Sequence, residues 1–254
     1  MKKNYTEKQQ RIKDQFCQER GSWKWNDIWE TILMLNEDIV STYSALSSVA
    51  HKKGYLEPRV KELIYIVMDS AITHLYPSGL RRHMVHAVKD LGITPGEIME
   101  TLLIASMISS STYTVGFPIL MRQLAERGNS GGDVQMTPGQ MELKERFIHL
   151  AGYWNDTLEQ ILCQDVEILE TYLDYLEASM SKQALEPRTR EFLYIAVNAS
   201  ATTLNPVEIE RHIKLALNYG ATREELLEVF DTVCCLGVHS ILDGIPILND
   251  VINR

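Results

Sequence analysis

Three features are scarce in this 254-residue sequence, and each scarcity removes a class of function. The first is paired cysteine. The four cysteines are Cys17, Cys163, Cys234 and Cys235, with no Cys-x-x-Cys pair and no zinc-like spacing, so dithiol redox centres and structural zinc modules are not expected. Cys234 and Cys235 adjoin within the apolar run Val229–Val238. A bond between them would strain the intervening peptide, so packing is their expected role. The second is positive charge: 25 Lys and Arg face 34 Asp and Glu, a net charge of −9. That leaves no electrostatic footprint for nucleic acid or anionic lipid. The third is a long apolar run. No continuous stretch approaches the roughly 18 residues of a membrane span. The opening MKKNYTEKQQR has two lysines but no apolar segment behind them, so no secretory signal is expected. With 45% apolar and 23% charged residues, the composition is that of a soluble globular protein. A cytoplasmic enzyme or binding protein is the expectation.

What the sequence does have is itself, twice. A shift of 129 superimposes Trp25-Asn26-Asp27 on Trp154-Asn155-Asp156, Leu56-Glu57-Pro58-Arg59 on Leu185-Glu186-Pro187-Arg188, and Arg82-His83 on Arg211-His212. Between 24–88 and 153–217 there are 23 identities in 65 ungapped positions, against about 6% for unrelated chains of average composition. One residue is then lost. A shift of 128 carries Thr94-x-x-Glu97 onto Thr222-x-x-Glu225 and Gly116-Phe117-Pro118-Ile119-Leu120 onto Gly244-Ile245-Pro246-Ile247-Leu248. The stretch 127–139 is rich in glycine and turn formers and reads as a linker, leaving repeats at 12–126 and 140–254. Units of this length suit a fused pseudo-dimer better than a stacked solenoid.

Each copy reads as helical. Ile28, Ile32, Leu33, Leu35, Ile39 and Tyr43 recur at three- and four-residue steps, as do Ile161, Leu162, Ile168, Leu169 and Tyr172, the mark of helices with one buried face. Pro58 and Pro187 open apolar helices expected over Arg59–Leu75 and Arg188–Leu204, since proline suits a first helical turn. Helices after Pro77 and Pro206 carry the Arg-His pairs and are closed by Gly92 and Gly220. Thr94 with Glu97, and Thr222 with Glu225, form capping boxes for the next helices. No alternating strand pattern appears, and the class is all-α.

Polar residues kept in both copies are the candidates for chemistry. Of seven histidines only His83 and His212 are equivalent. An imidazole can shuttle a proton near neutral pH, or simply bridge helices by a buried hydrogen bond. In the second copy Glu208 stands four residues before His212, on the same helical face, where it could fix the tautomer or merely sit exposed in the first turn. The first copy has Gly79 there. Arg82 and Arg211, like Arg59 and Arg188, offer carboxylate-binding guanidinium groups or ordinary ion pairs. His74 and His239 face Thr203 and Ser111 in the other copy and are candidates to line a pocket. His83 and His86 are three apart, but Leu215 replaces the second and no third ligand is evident, so no metal site is expected.

At these residues the sequence resembles the carboxymuconolactone decarboxylase family, which includes the AhpD-like alkylhydroperoxidases. The shared pattern runs from Leu185-Glu-Pro-Arg through Glu225-Leu226, and less closely from Leu56-Glu-Pro-Arg through Glu97-Ile98, about half the chain. The resemblance implies two tandem AhpD-like helical repeats forming an intrachain pseudo-dimer. It also implies assembly of three chains into a pseudo-hexamer, a small-molecule substrate and no cofactor. The AhpD-like branch uses Cys-x-x-Cys-x-x-x-His, but here those cysteine positions hold Tyr76 and Gly79, then Asn205 and Glu208. A thiol peroxidase is therefore the weaker reading. The decarboxylase branch implies His212 with Glu208 as an acid pair, His83 as its counterpart, and Arg211 and Arg82 as carboxylate anchors, acting on a lactone acid that loses carbon dioxide. A non-catalytic small-molecule-binding oligomer is the third reading.

Overall fold

The computed structural model describes residues 5–128, 136–180 and 184–252. Among them are fourteen α-helices and no strand. The first seven are α1 Glu7–Arg20, α2 Asp27–Leu35, α3 Glu37–Lys53, α4 Pro58–Ser70, α5 Pro77–Lys89, α6 Pro95–Met107 and α7 Ser111–Glu126. Their counterparts are α8 Pro138–Ala151, α9 Asp156–Gln164, α10 Val166–Met180, α11 Pro187–Ala199, α12 Pro206–Asn218, α13 Arg223–Cys234 and α14 His239–Ile252. Of the expected linker, Arg127 and Gly128 follow α7 and Pro138 opens α8, while 129–135 lie outside the described residues.

Local chemistry starts the same helices in both copies. Thr94 and Thr222 each accept from the backbone three residues on, and Glu97 and Glu225 return the bond to the threonine N–H. Asn26 and Asn155 cap α2 and α9 with their side-chain oxygens. Prolines occupy the first turns of α4, α5, α11 and α12, where no N–H partner is lost.

The expected helices 59–75 and 188–204 end early, at Ser70 and Ala199. A tight turn follows, with Leu75 at φ 43° and Leu204 at φ 44°. Left-handed backbone at a leucine costs about 1–3 kcal/mol and tends to mark functional places. Here it returns the N–H of Tyr76 to the carbonyl of Asp69 and that of Asn205 to the carbonyl of Asn198. The turn thereby fixes equivalent side chains beside the sites described below.

The core lies where α4 meets α11. Leu63, Ile64, Ile66 and Val67 pack with Phe192, Leu193, Ile195 and Val197, all essentially sealed from water. Two ion pairs related by the internal symmetry cross this junction. Lys61 Nζ lies 2.5 Å from Glu228 Oε1, and Arg190 Nε lies 2.6 Å from Glu100 Oε1. The same carboxylates accept the N–H of Leu56 and of Leu185, so each repeat's α4-type helix is tied at its entrance to the other repeat.

The last helix of each repeat closes the other one. Val238 and Leu242 complete the cluster of Phe16, Trp29, Ile32 and Leu33. Tyr113 and Phe117 of α7 cover Phe147, Leu158, Leu162 and Leu173. This exchange has one consequence at odds with the sequence reading. The helical run Pro95–Glu126 spans 32 residues with a mean hydropathy of 1.3 in its most apolar window, of which 22% is buried. It has the length and apolarity of a membrane span, although Gly116, Pro118 and several hydroxyl residues interrupt it in the sequence. The run is broken by a 3₁₀ turn at Ile108–Ser110, and its second half serves as the lid of the second repeat.

Candidate active site

In the second repeat His212 is buried on α12, which crosses α11. Its Nδ1 stands 2.6 Å from Glu191 Oε2, and its ring lies flat on Tyr194, with centroids 4.3 Å apart and planes within 6°. A carboxylate on Nδ1 sets the tautomer and leaves Nε2 free for the cavity side. Glu208 is not the hydrogen-bond partner expected from its spacing. Its Oε2 is 3.7 Å from Nε2 and is instead held by Arg211 Nη1 at 2.6 Å. Nor is Glu208 an exposed first-turn acid: it is buried, and its Oε1 has no hydrogen-bond partner. The Arg211 guanidinium lies 3.8 Å from the ring centre of Tyr153.

These groups border a cavity of about 100 Å³ lined by His212, Glu208, Arg211, Tyr153, Tyr172 and Tyr194 among others. Beyond Tyr153 and Tyr172 it meets an apolar cleft of about 250 Å³ formed by Phe147, Leu158, Ile161, Ile168 and Leu169. Burial raises the phenols of Tyr153, Tyr172 and Tyr194, so at neutral pH they keep their protons and act as donors. A polar cavity rich in donors thus stands beside an apolar cleft, with Tyr153 and Tyr172 in the lining of both, and small-molecule sites combine the same two kinds of lining.

The first repeat has the same triad with a different rim. His83 Nδ1 is 2.7 Å from Glu62 Oε1, and Tyr65 stacks on the ring at 4.7 Å. Burial lowers the His83 pKa, an effect that Glu62 partly offsets. The ammonium of Lys24, which replaces Tyr153, lies over the rings of Tyr65 and Trp23. Burial first, and then the charge of Arg20, bring its pKa down to about 8. Arg82, Lys24, Tyr43, Tyr76, His83 and His239 face a smaller cavity of about 60 Å³. Gly79 replaces Glu208 for want of room, since any Cβ there would run into the Tyr76 ring and Asp69 Oδ2. Gly79→Ala is therefore expected to destabilise the chain by about 1–3 kcal/mol through overpacking, read by urea unfolding. An unchanged midpoint would show that the neighbours yield freely.

His239 lines the first repeat's cavity, and His74 stands beside it rather than in that lining. They meet each other, His74 Nε2 to His239 Nδ1 at 2.7 Å, because α14 crosses to the first repeat. His239 Nδ1 is 3.8 Å from Asp69 Oδ1 and its ring lies on Tyr76 at 4.0 Å. Burial, aided by His74, lowers His239 to about 3, while burial raises the Asp69 carboxyl to about 8. The sequence reading of no metal-ligating set rested on His83 and His86. Those two do not converge, since His86 pairs with Asp90 and stacks on Trp23. Among the described residues a set that does converge is Asp69, His74 and His239.

Arg59 and Arg188 form ion pairs with Glu97 and Glu225. All four cysteines are free. Cys234 is exposed rather than packed, and burial pushes the Cys235 thiol up to about 12. Glu62, Glu191, Tyr65 and Tyr194 are the side chains held against the two histidines that the sequence reading passed over. They are equivalent pairs under the shift of 129, so the duplication that singled out the histidines also marked them.

Residues 167–237 match the profile of the carboxymuconolactone decarboxylase family. No curated protein matches the chain. A crystal structure from Burkholderia xenovorans LB400, provisionally assigned as a gamma-carboxymuconolactone decarboxylase subunit, is 31% identical. The match covers 97% of this chain and 98% of that one with a TM-score of 0.90. Similarity of this extent, over both repeats, places the chain in the carboxymuconolactone decarboxylase family.

Proposed function

We propose that the second repeat is a decarboxylase site for a small carboxylated lactone, with His212 moving the proton. The observation that carries this reading is the Glu191–His212–Tyr194 arrangement at the wall of a cavity that also holds Arg211, Tyr153 and Tyr172. In such a reaction the bond to the departing carboxylate breaks, and its electron pair passes into the conjugated lactone as an enolate. Carbon dioxide leaves, and a proton is delivered to the carbon left behind. Glu191 stabilises the protonated imidazole, so His212 can serve as that acid and be recharged from water. Tyr153, Tyr172 and Arg211 are the donors available to the developing oxyanion and to the carboxylate. Glu208 holds Arg211 in place, and its unpartnered Oε1 is available to a substrate hydroxyl or to a proton.

A thiol mechanism has little support. No cysteine stands at the positions it requires, and Cys235 beside the first cavity is far from thiolate at neutral pH. The test is carbon dioxide release from lactone acids by the intact chain and by His212→Gln. A wild type that binds such acids and releases nothing favours a non-catalytic binding role instead.

Association of chains is a further part of this reading. Val115, Ile119 and Leu120 on α7, and Ile247, Leu248, Val251 and Ile252 on α14, are exposed, with Ile119 and Leu120 equivalent to Ile247 and Leu248. Buried between chains, these stripes would build the pseudo-hexamer of three chains. Light scattering is expected to give a trimer; a monomer at micromolar concentration would remove this part of the proposal.

A further inference from the structure

We propose that Asp69, His74 and His239 form a binding site for one divalent transition-metal ion of the zinc type, at the edge of the first repeat's cavity. Their ligand atoms all lie within 4.8 Å of one another. His74 Nε2 is 2.7 Å from His239 Nδ1, and Asp69 Oδ1 is 3.8 Å from that same nitrogen. Tetrahedral zinc with ligands at about 2.0–2.2 Å holds them roughly 3.4 Å apart, so small side-chain rotations convert the cluster into a coordination set.

The second observation is a buried oxygen without a partner. Asp69 is 1% exposed, and its Oδ2 has no hydrogen-bond partner. A carboxyl oxygen sealed from water without a partner is costly, and a cation that takes the place of the Asp69 proton is one means of satisfying it. The Tyr76 hydroxyl beside it is likewise buried and unpartnered.

The third observation comes from the internal comparison. The equivalent residues at the second repeat's site are Asn198, Thr203 and, from α7 of the first repeat, Ser111, none of which offers an imidazole or a carboxylate. The three ligands sit on α4, on the turn after it and on α14, and they meet only because α14 belongs to the other repeat. Two positions five residues apart and a third 165 positions beyond His74 therefore differ together, all toward metal ligands. Gly79 fits the same pattern, because its missing side chain is what admits the Asp69 carboxylate.

Two imidazoles and one carboxylate suit zinc, cobalt or ferrous iron better than magnesium or calcium, which prefer oxygen donors. With His239 lining a cavity of about 60 Å³, there is room for water or a substrate oxygen at an open fourth position. Such an ion would polarise a carboxylate or carbonyl oxygen beside Arg82 and Lys24. The inference does not depend on catalysis in the second repeat.

The test uses the full chain without an affinity tag, stripped with a chelator, dialysed, and titrated with cobalt(II) by absorption and with zinc(II) by calorimetry. One ion per chain is expected, together with a zinc-dependent rise in melting temperature. His239→Ser and Asp69→Asn install the residues found at the second repeat's site and are expected to weaken binding roughly 100-fold or more. Should either fail to fold, half-buried His74→Thr replaces it. A wild type that takes up no stoichiometric ion, or folded variants that bind as tightly as the wild type, would overturn the proposal.

Discussion

His212→Gln is expected to lower kcat/KM for a carboxylated lactone by about 10²–10⁴-fold, the usual contribution of a positioned general acid or base. Glutamine keeps much of the volume and can still hydrogen-bond Glu191, but it cannot cycle a proton. The loss should fall mainly on kcat, with KM little changed, because Arg211 and the phenols that would bind the substrate remain in place. Glu191→Gln is expected to be milder, roughly ten- to a hundredfold, since it removes the group that orients and stabilises the imidazolium but leaves the imidazole itself. His83→Gln is the internal control. If the second repeat alone turns over the lactone, this variant keeps wild-type activity; if both repeats work, it loses a part. Steady-state kinetics on the three variants, with folding checked by circular dichroism, gives the answer. Full activity in His212→Gln would end the proposed role.

The second large effect concerns stability. Glu228 is fully buried and takes Lys61 at 2.5 Å and the N–H groups of Tyr55 and Leu56 at 2.6 and 3.2 Å. Glu228→Ala leaves the nearly sealed Lys61 ammonium without its counter-charge and strands those two donors. Removing one member of a buried pair costs about 3–5 kcal/mol, which for a chain of this size lowers the melting temperature by on the order of 10 °C. The double change Lys61→Met with Glu228→Leu should recover much of that loss, because it removes both desolvated charges. The counterpart pair, Arg190 with Glu100, should behave alike. A melting temperature unmoved by Glu228→Ala would mean that this junction does not hold the two repeats together.

The helices were legible because their causes are local. Thr94, Thr222, the first-turn prolines and the periodic apolar residues each act within one or two turns. The early ends at Ser70 and Ala199 were not legible, because the apolar pattern runs on through the turn and nothing at Leu75 or Leu204 announces a left-handed backbone. Reading Glu208 as the partner of His212 shows the same limit. Spacing of four residues places two side chains on one face, yet the bond went to Glu191, twenty-one positions away on a helix that crosses.

The sequence by itself determined the duplication, the all-helical class, the pairing of His83 with His212 and the absence of a cysteine pair beside either. Only the tertiary structure decided which acids hold those imidazoles, that each repeat lends its last helix to the other, and hence that His239 sits with His74 and Asp69. The physical reason is range: caps, periodicity and repeats are properties of neighbours along the chain. Which helix faces another is settled by the burial of apolar surfaces contributed from both halves at once.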